Sequence, residues 1–309
     1  MFLAGAPVFG EVVFELEPNV GVAVGMAREI VYPVGYSTDN PYLSELRWDI
    51  KPALMVGVSA ALETPRDLNV GLDIQGALPI SSGRMYDYDW LYLNRDDWSH
   101  RSLHDIKIEH AFIIDVGISA PMLRRWNWSL RFSAGYHLDW WSWNDAVLER
   151  LYSTNKNGRT DFTEVFGSGD KFRDLHVLGD GSPGISYEVA YHVPYAGIGF
   201  RYTGHRTVFD TSLVLGPVFV GSHDHHIVRG LHFYDFGIGG PWLGWDGSME
   251  WRISQNGSLM FAGEIVWTPE IVGNTAAYTD EGVYQGSTAK GAGFQFWRIG
   301  ATIGYRFTL

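Results

Sequence analysis

Apolar and polar side chains alternate strictly along residues 126–140, and this alternation predicts a long β-strand. Successive side chains of a strand point to opposite faces, so the even and odd positions form separate faces. The even face begins at Trp126 and ends at Trp140, whereas the odd face carries Arg131, His137 and Asp139. Aromatic residues at both ends of an apolar face are typical of a membrane β-barrel, where they meet the two lipid–water interfaces.

The last residues of the chain repeat this pattern. Tyr305 and Phe307 lie on one face of a predicted strand, and Arg298 lies on the opposite face. An aromatic face opposite an arginine-bearing face indicates a lipid-facing exterior and a polar interior. We therefore expect Trp126, Trp140, Tyr305 and Phe307 to face lipid or its interface.

Ten segments of this kind recur along the chain, and an even number permits closure of a bacterial up-and-down barrel. The sequence predicts an all-β fold, a ten-stranded antiparallel transmembrane β-barrel with long extracellular loops. A small pore is not favoured, because side chains leave little lumen in a barrel of this size. The predicted strands are Val12–Tyr32, Leu43–Leu62, Leu68–Trp90, Ile106–Pro121, Trp126–Trp143, Ile185–Thr203, Thr207–Ser222, Leu231–Ile253, Ser258–Thr268 and Phe294–Leu309.

Short and long connections alternate between these segments. The long polar ones are residues 90–106, 144–184 and 268–294, and they predict extracellular loops opposite short periplasmic turns. No linker-like change of composition divides the chain, so residues 1–309 are expected to form a single outer-membrane barrel domain. Residues 1–10 lack the basic start of a secretory signal, and we interpret them as a signal-peptide remnant or a disordered N-terminus.

The composition narrows the possible partners. The formal net charge is −12 at pH 7, which argues against nucleic acid because phosphate binding needs a basic face. The same charge favours cationic substrates. The chain has no cysteine, so disulfides and thiolate chemistry are excluded.

Two acidic motifs lie where predicted strands give way to polar loops: one ends the strand Leu68–Trp90, and the other follows the strand Thr207–Ser222. Asp87 and Asp89 fall on the odd positions, which face the lumen in the first of these strands. Asp224 and His226 fall on the even positions, which face the lumen in the second. A carboxylate two residues from an imidazole fixes its tautomer and raises its basicity, and a second carboxylate pair across a cleft can hold water. This arrangement predicts general-base hydrolysis at the exterior side of the barrel. The alternative is that Asp87 and Asp89 are solvated loop carboxylates.

The histidine-rich run offers a second alternative, a metal site formed by His223, Asp224 and His226. Strand alternation argues against it, because His223 points away from the other two side chains. No further spaced set of ligands supports a metal centre, so we predict neither a metal nor another cofactor.

Several separated motifs, in order along most of the chain, resemble the omptins, outer-membrane aspartate/histidine proteases of Gram-negative bacteria. The matching stretches are residues 25–32, 44–49, 87–90, 98–104, 193–195 and 224–226, among them Asp87-Tyr88-Asp89-Trp90 and Asp224-His225-His226.

The resemblance implies a ten-stranded barrel with a catalytic cleft at its rim. It implies that His226 is a general base oriented by Asp224, and that Asp87 and Asp89 hold the attacking water on the opposite wall. The expected substrates are extracellular polypeptides. The residues implied as accessory groups near the cleft are Ser102 and His104.

The chain departs from the family at the acidic positions that favour basic substrate residues. Glu29 matches one such position, but Ser222 and His100 stand where two further acidic residues are expected. We therefore expect a weakened preference for basic residues, with Glu29 as the matched acidic partner. At low pH, a cationic His100 would oppose a basic substrate residue.

The family also implies activation by lipopolysaccharide, bound on the outer face of the barrel. Tyr136 fits that pattern, but Leu138, Trp140 and Ala190 replace its charged members, so activation of the familiar kind is not expected. We predict a monomer surrounded by outer-membrane lipid. The alternative function is a catalytically weak surface barrel that acts as an adhesin or a structural outer-membrane protein.

Overall fold

The computed structural model describes residues 12–33, 42–91, 97–154, 169 and 171–309, and every regular element within them is a β-strand. The first six strands are β1 (Val13–Val31), β2 (Ser44–Glu63), β3 (Asn69–Ala77), β4 (Ser81–Asp89), β5 (His100–Arg125) and β6 (Trp128–Thr154). The others are β7 (Lys171–Leu178), β8 (Ile185–Thr203), β9 (Thr207–His226), β10 (Leu231–Arg252), β11 (Gly257–Thr279) and β12 (Tyr284–Thr308). No helix among these described residues is long and apolar enough to cross a membrane. The interpretation of residues 1–10 lies outside the described residues.

The strands form one antiparallel sheet that closes on itself, because β1 pairs with both β2 and β12. The all-β barrel is as predicted, but the count of ten strands is too low, since the described residues form twelve. β3 and β4 lie end to end between β2 and β5, so together they fill one position in the wall. β7 adds to the end of β6, inside the predicted loop 144–184. The wall therefore has ten positions, one of them occupied by two short strands.

The break between β3 and β4 has a local cause. Pro79 lies between the two strands, and proline cannot donate a hydrogen bond to a neighbouring strand. The ladder is irregular again at Gly83, whose φ is 87°. A Cβ there would lie 2.7 Å from the Cβ of Asp49, so both the conformation and the space require glycine. The irregularity leaves Asp87 and Asp89 on the inner face.

Two of the predicted loops are largely strand. Residues 268–294 form most of a β11–β12 hairpin whose turn spans only residues 280–283, and β6 continues to Thr154. Similarly, β5 begins at His100 rather than Ile106. These extensions were missed because lipid contact is what imposes strict apolar alternation on a strand. Beyond the membrane, backbone pairing continues while both faces meet polar surroundings.

The outer face carries the aromatic residues that the sequence places there. Trp126 is fully exposed and Phe307 is 43% exposed, while Trp140 and Tyr305 are partly exposed. On β9 the outward residues from Leu213 to Phe219 are apolar, and beyond Gly221 they are His223 and His225. The apolar band of the barrel therefore ends near Phe219, and the two acidic motifs lie beyond it.

The inner face has a polar layer within the apolar band. Arg298 is completely buried and donates to Asp139 and Glu264, and the second oxygen of Asp139 lies 2.8 Å from Nε2 of His137. A cavity of about 390 Å³ adjoins this network. These buried charges are paired with one another, as a polar lumen requires.

Above the polar layer, aromatic side chains fill the lumen. The ring of Trp48 stacks on Tyr187 with centroids 5.2 Å apart, and Trp143 packs against both rings. Phe294 and Phe296 are also completely buried. This aromatic layer, defined by Trp48, Trp143, Tyr187, Phe294 and Phe296, packs in the lumen next to the acidic motifs.

Candidate active site

The end of β9 holds a carboxylate–imidazole pair. Nε2 of His226 lies 2.7 Å from Oδ2 of Asp224, which is almost fully buried. The ring of His226 also meets Phe233 edge to face at 5.3 Å. Burial opposes charge on the imidazole, but attraction and hydrogen bonding from Asp224 outweigh it and raise the pKa of His226. Asp224 thus both orients the ring and makes it more basic.

The end of β4 holds the carboxylate pair. Asp87 accepts hydrogen bonds from Ser44 at 3.1 Å and from Ser102 at 3.3 Å, so hydroxyls on both neighbouring strands hold it. Burial and the adjacent charge of Asp87 raise the pKa of Asp89 well above its ordinary value. Asp89 therefore keeps a proton to higher pH than an ordinary aspartate does.

The two pairs come from different walls of the barrel. Strands β5, β6 and β8 separate β4 from β9 on one side, and β2, β1, β12, β11 and β10 separate them on the other. The charge of Asp87 still contributes to the raised pKa of His226, so the two walls face each other at electrostatic range. Arg229 acts on both His226 and Asp89, so the four predicted catalytic side chains lie within electrostatic range of one another at the same end of the barrel.

The predicted accessory residues, Ser102 and His104, form a series of contacts that leads from Asp87 into the wall of the barrel. Nε2 of His104 lies 2.7 Å from the Ser102 hydroxyl, and Nδ1 lies 2.5 Å from Oδ2 of Asp145. The other oxygen of Asp145 accepts from the backbone amides of Gly184 and Ile185. Asp145 was missed because it lies in a segment predicted as loop, and no local motif marks it.

Three buried carboxylates form an acidic floor between the two walls: Glu29 on β1, Asp224 on β9 and Asp235 on β10. Each of the three carboxylates has one oxygen without a hydrogen-bond partner among the described residues. These oxygens are Oε2 of Glu29, Oδ1 of Asp224 and Oδ1 of Asp235. Burial and the charges of Asp224, Asp235 and Asp87 raise the pKa of Glu29 well above its usual value. Burial also raises the pKa of Asp235 to about 6. The acidic floor is thus electrostatically strained and suited to a cation.

The two predicted substrate positions without a carboxylate differ in their surroundings. Ser222 lies on the acidic floor and its hydroxyl donates to Asp235 at 3.4 Å. His100 is only 1% exposed, pairs with Asp89 along the strands and packs on Tyr152. Burial lowers the pKa of His100 to about 4, so His100 gains its positive charge only at a lower pH than an ordinary histidine does.

Asp235 was missed by the sequence interpretation, although a signal for it exists. β9 continues to His226 and β10 begins at Leu231, so the short hairpin sets a register in which Asp235 faces Ser222. Ending the predicted strand at Ser222 hid this pairing. Asp235 therefore places a carboxylate beside Ser222, the position at which the family pattern predicts an acidic residue.

The histidine-rich run divides between the two faces of β9. Asp224 and His226 point into the cleft, whereas His223 and His225 pack on the outer face against His232. The alternative metal site of His223, Asp224 and His226 therefore has no common point at which its ligands meet.

Fold and site together define a transmembrane β-barrel with a cleft lined by carboxylates and histidine at one end. The sequence model of the Omptin family matches residues 12–309, and the chain belongs to this family. The plasminogen activator of Yersinia pestis is 23% identical over 234 residues, which cover 75% of this chain and 68% of that protein. The crystal structure of the outer membrane protease OmpT from Escherichia coli superposes with a TM-score of 0.83 and 18% identity, covering 96% of this chain and 97% of that one.

Family membership confirms the resemblance drawn from the motifs. It places this barrel in the bacterial outer membrane, as predicted, and it supports a protease role.

Proposed function

We propose that this protein is an outer-membrane endopeptidase that hydrolyses extracellular polypeptides with a water molecule activated by His226. The observation that carries the proposal is the 2.7 Å contact between His226 and the buried Asp224, in a cleft that Asp87 also borders. Protease relatives in the same family support the reaction class.

His226 acts as the general base. Its Nε2 hydrogen donates to Asp224, so the basic lone pair is on Nδ1. When Nδ1 takes a proton from water, the imidazolium forms beside the Asp224 carboxylate, which stabilises it. The proton is then available for the leaving amine.

Asp87 and Asp89 position the attacking water from the opposite wall. The hydroxyls of Ser44 and Ser102 hold Asp87, and His104 and Asp145 hold Ser102 in turn. The raised pKa of Asp89 favours the protonated form of this carboxyl, which donates a hydrogen bond to the developing oxyanion while Asp87 accepts one from the water. In this mechanism, no step requires a metal or another cofactor.

The acidic floor selects a basic substrate residue. Leaving a buried carboxylate unpaired costs free energy, and an entering guanidinium or ammonium group would relieve that cost for Glu29 and Asp235 together. In this proposal Glu29 and Asp235 produce the preference for basic residues, and Asp224 is reserved for catalysis.

The test is hydrolysis of a fluorogenic peptide library by the refolded chain and by His226→Ala. Loss of a general base lowers turnover by about 10²–10⁴-fold. His192→Ala is the matched control, because His192 lies on the outer face of β8, where it contacts Tyr136 of β6. Unchanged turnover in His226→Ala would exclude the mechanism, and a wild-type chain without any hydrolysis would favour the adhesin alternative.

A further inference from the structure

Four side chains on the outer face of the barrel form a group that the proposed reaction does not use. This outer histidine cluster consists of His223 and His225 on β9, His232 on β10, and Asp280 in the turn after β11. The rings of His225 and His232 stack with centroids 4.0 Å apart, and His223 stacks on His232 at 5.1 Å. The cluster lies past Phe219, where the apolar band has ended, so it faces water.

The cluster brings three metal-ligating atoms together. Oδ1 of Asp280 lies 3.2 Å from Nε2 of His225 and 3.2 Å from Nε2 of His232. These three atoms all lie within 4.8 Å of one another. Zinc bound tetrahedrally at about 2.0–2.1 Å separates neighbouring ligand atoms by roughly 3.3 Å. Two of the three separations already match that value. The rings of His225 and His232 stack nearly parallel, so metal binding requires both rings to turn until their Nε2 lone pairs converge on one ion.

The surroundings of the cluster fit a metal site as well. Nε2 of His223 lies 2.9 Å from Nδ1 of His232, a contact that orients the ring of His232 through its other nitrogen. The backbone amide of Asp280 donates to Gly230 at 3.1 Å, which fixes the turn beside the β9–β10 hairpin. His225, His232 and Asp280 keep 25%, 22% and 51% of their side-chain surface exposed, so an ion can enter from solvent.

We propose that His225, His232 and Asp280 bind a divalent transition metal ion such as Zn²⁺, with His223 as a positioning residue. Two imidazoles and one carboxylate are a ligand set that suits zinc and leaves a fourth position for water. The bound ion would join β9, β10 and the β11–β12 turn on the outer wall. It would lie behind the catalytic wall, because Asp224 and His226 point to the opposite face of β9. The proposal does not depend on the proposed hydrolysis.

The test uses the metal alone on the full chain in detergent micelles. Co²⁺ is titrated as a coloured probe, and Zn²⁺ is then added to displace it. We expect an absorption band that saturates at one Co²⁺ per chain and that Zn²⁺ abolishes. His225→Gln and His232→Gln should each remove the saturable band, Asp280→Asn should weaken binding, and His223→Gln should weaken binding about 10–100-fold.

His192→Gln is the matched control, since it removes an outer-face histidine on β8 away from the cluster. Asp280→Asn changes an exposed turn residue, so it tests binding even if a histidine variant fails to fold. The proposal would be overturned if Co²⁺ binding were unchanged in Asp280→Asn and in a folded double variant that carries His225→Gln and His232→Gln. So would a wild-type chain that shows no saturable band.

Discussion

At the residue scale, Asp235 changes the expected substrate preference most. With Glu29 as the matched acidic partner, the sequence predicts only a modest preference for basic residues. The structure places Asp235 beside Ser222 and within electrostatic range of Glu29, so the acidic floor has a second carboxylate for a cationic side chain. His100 adds no opposing charge, because burial holds its pKa near 4.

We therefore predict that Asp235→Asn and Glu29→Gln each reduce the preference for Arg or Lys over a neutral residue. A hydrogen bond to a charged group contributes about 1.5–3 kcal/mol, which corresponds to roughly a 10–100-fold change in relative kcat/KM. The measurement is a cleavage profile with matched peptides. Asp105→Asn is the control, since Asp105 pairs with Arg84 on the exposed outer face.

The same carboxylates predict how this preference depends on pH. The pKa of Asp235 is raised to about 6, so as the pH falls through 6 it takes up a proton and loses its attraction for a cation. Relative kcat/KM for basic peptides should fall over that range in the wild type and fall less in Asp235→Asn. If the preference for basic peptides changed with neither the substitution nor the pH, the acidic floor would have no role in substrate recognition.

At the scale of elements, the site depends on where each strand ends and on what packs beneath it. Pro79 divides one wall position into β3 and β4, and β4 then carries Asp87 and Asp89 to the rim. The aromatic layer connects both catalytic walls: Trp48 pairs with Met85 on β4 and stacks on Tyr187 of β8, and Tyr187 pairs with Asp224 on β9. Its packing therefore links the two catalytic pairs through the interior of the barrel.

Trp48→Ala should therefore destabilise the barrel by about 3–5 kcal/mol, the usual cost of removing a large buried aromatic side chain. Denaturant unfolding of the refolded chain in micelles measures this change. Trp126→Ala is the matched control, because Trp126 packs against no protein core and meets only the lipid–water interface, so its removal should cost clearly less than that of Trp48. Equal stability losses in the two variants would contradict a structural role for the aromatic layer.

At the scale of the whole molecule, the two ends of the barrel differ. One end has short turns, such as residues 253–256, whereas the other carries extended hairpins and the candidate active site. In outer-membrane barrels the short turns face the periplasm and the longer segments face the exterior. The cleft is therefore expected to open toward the outside of the cell.

This orientation can be tested by labelling, because the chain has no cysteine. We predict that a membrane-impermeant maleimide labels Glu281→Cys on intact cells and labels Ser254→Cys only after the outer membrane is opened. Both positions are exposed turn residues, so they are matched in reactivity. The reverse labelling pattern would show that the cleft faces the periplasm.

The sequence by itself determined the class of fold and the four candidate catalytic residues. Lipid on one side of a strand and a polar lumen on the other impose period-2 alternation, which can be read locally. The pairs Asp87 with Asp89 and Asp224 with His226 are also local, because residues two apart in a strand share a face.

Only the tertiary structure decided which distant residues lie next to the catalytic pairs and which complete the outer histidine cluster. Asp145, Asp235 and Asp280 each reach their partners through strand register, closure of the barrel or a hairpin that continues past the membrane. Register depends on bulges and turn lengths along the whole wall, and beyond the lipid no alternation marks a strand. The outer histidine cluster therefore needs the pairing of β9, β10 and β11, whereas the acidic floor, which includes Glu29 on β1, exists only once the barrel has closed.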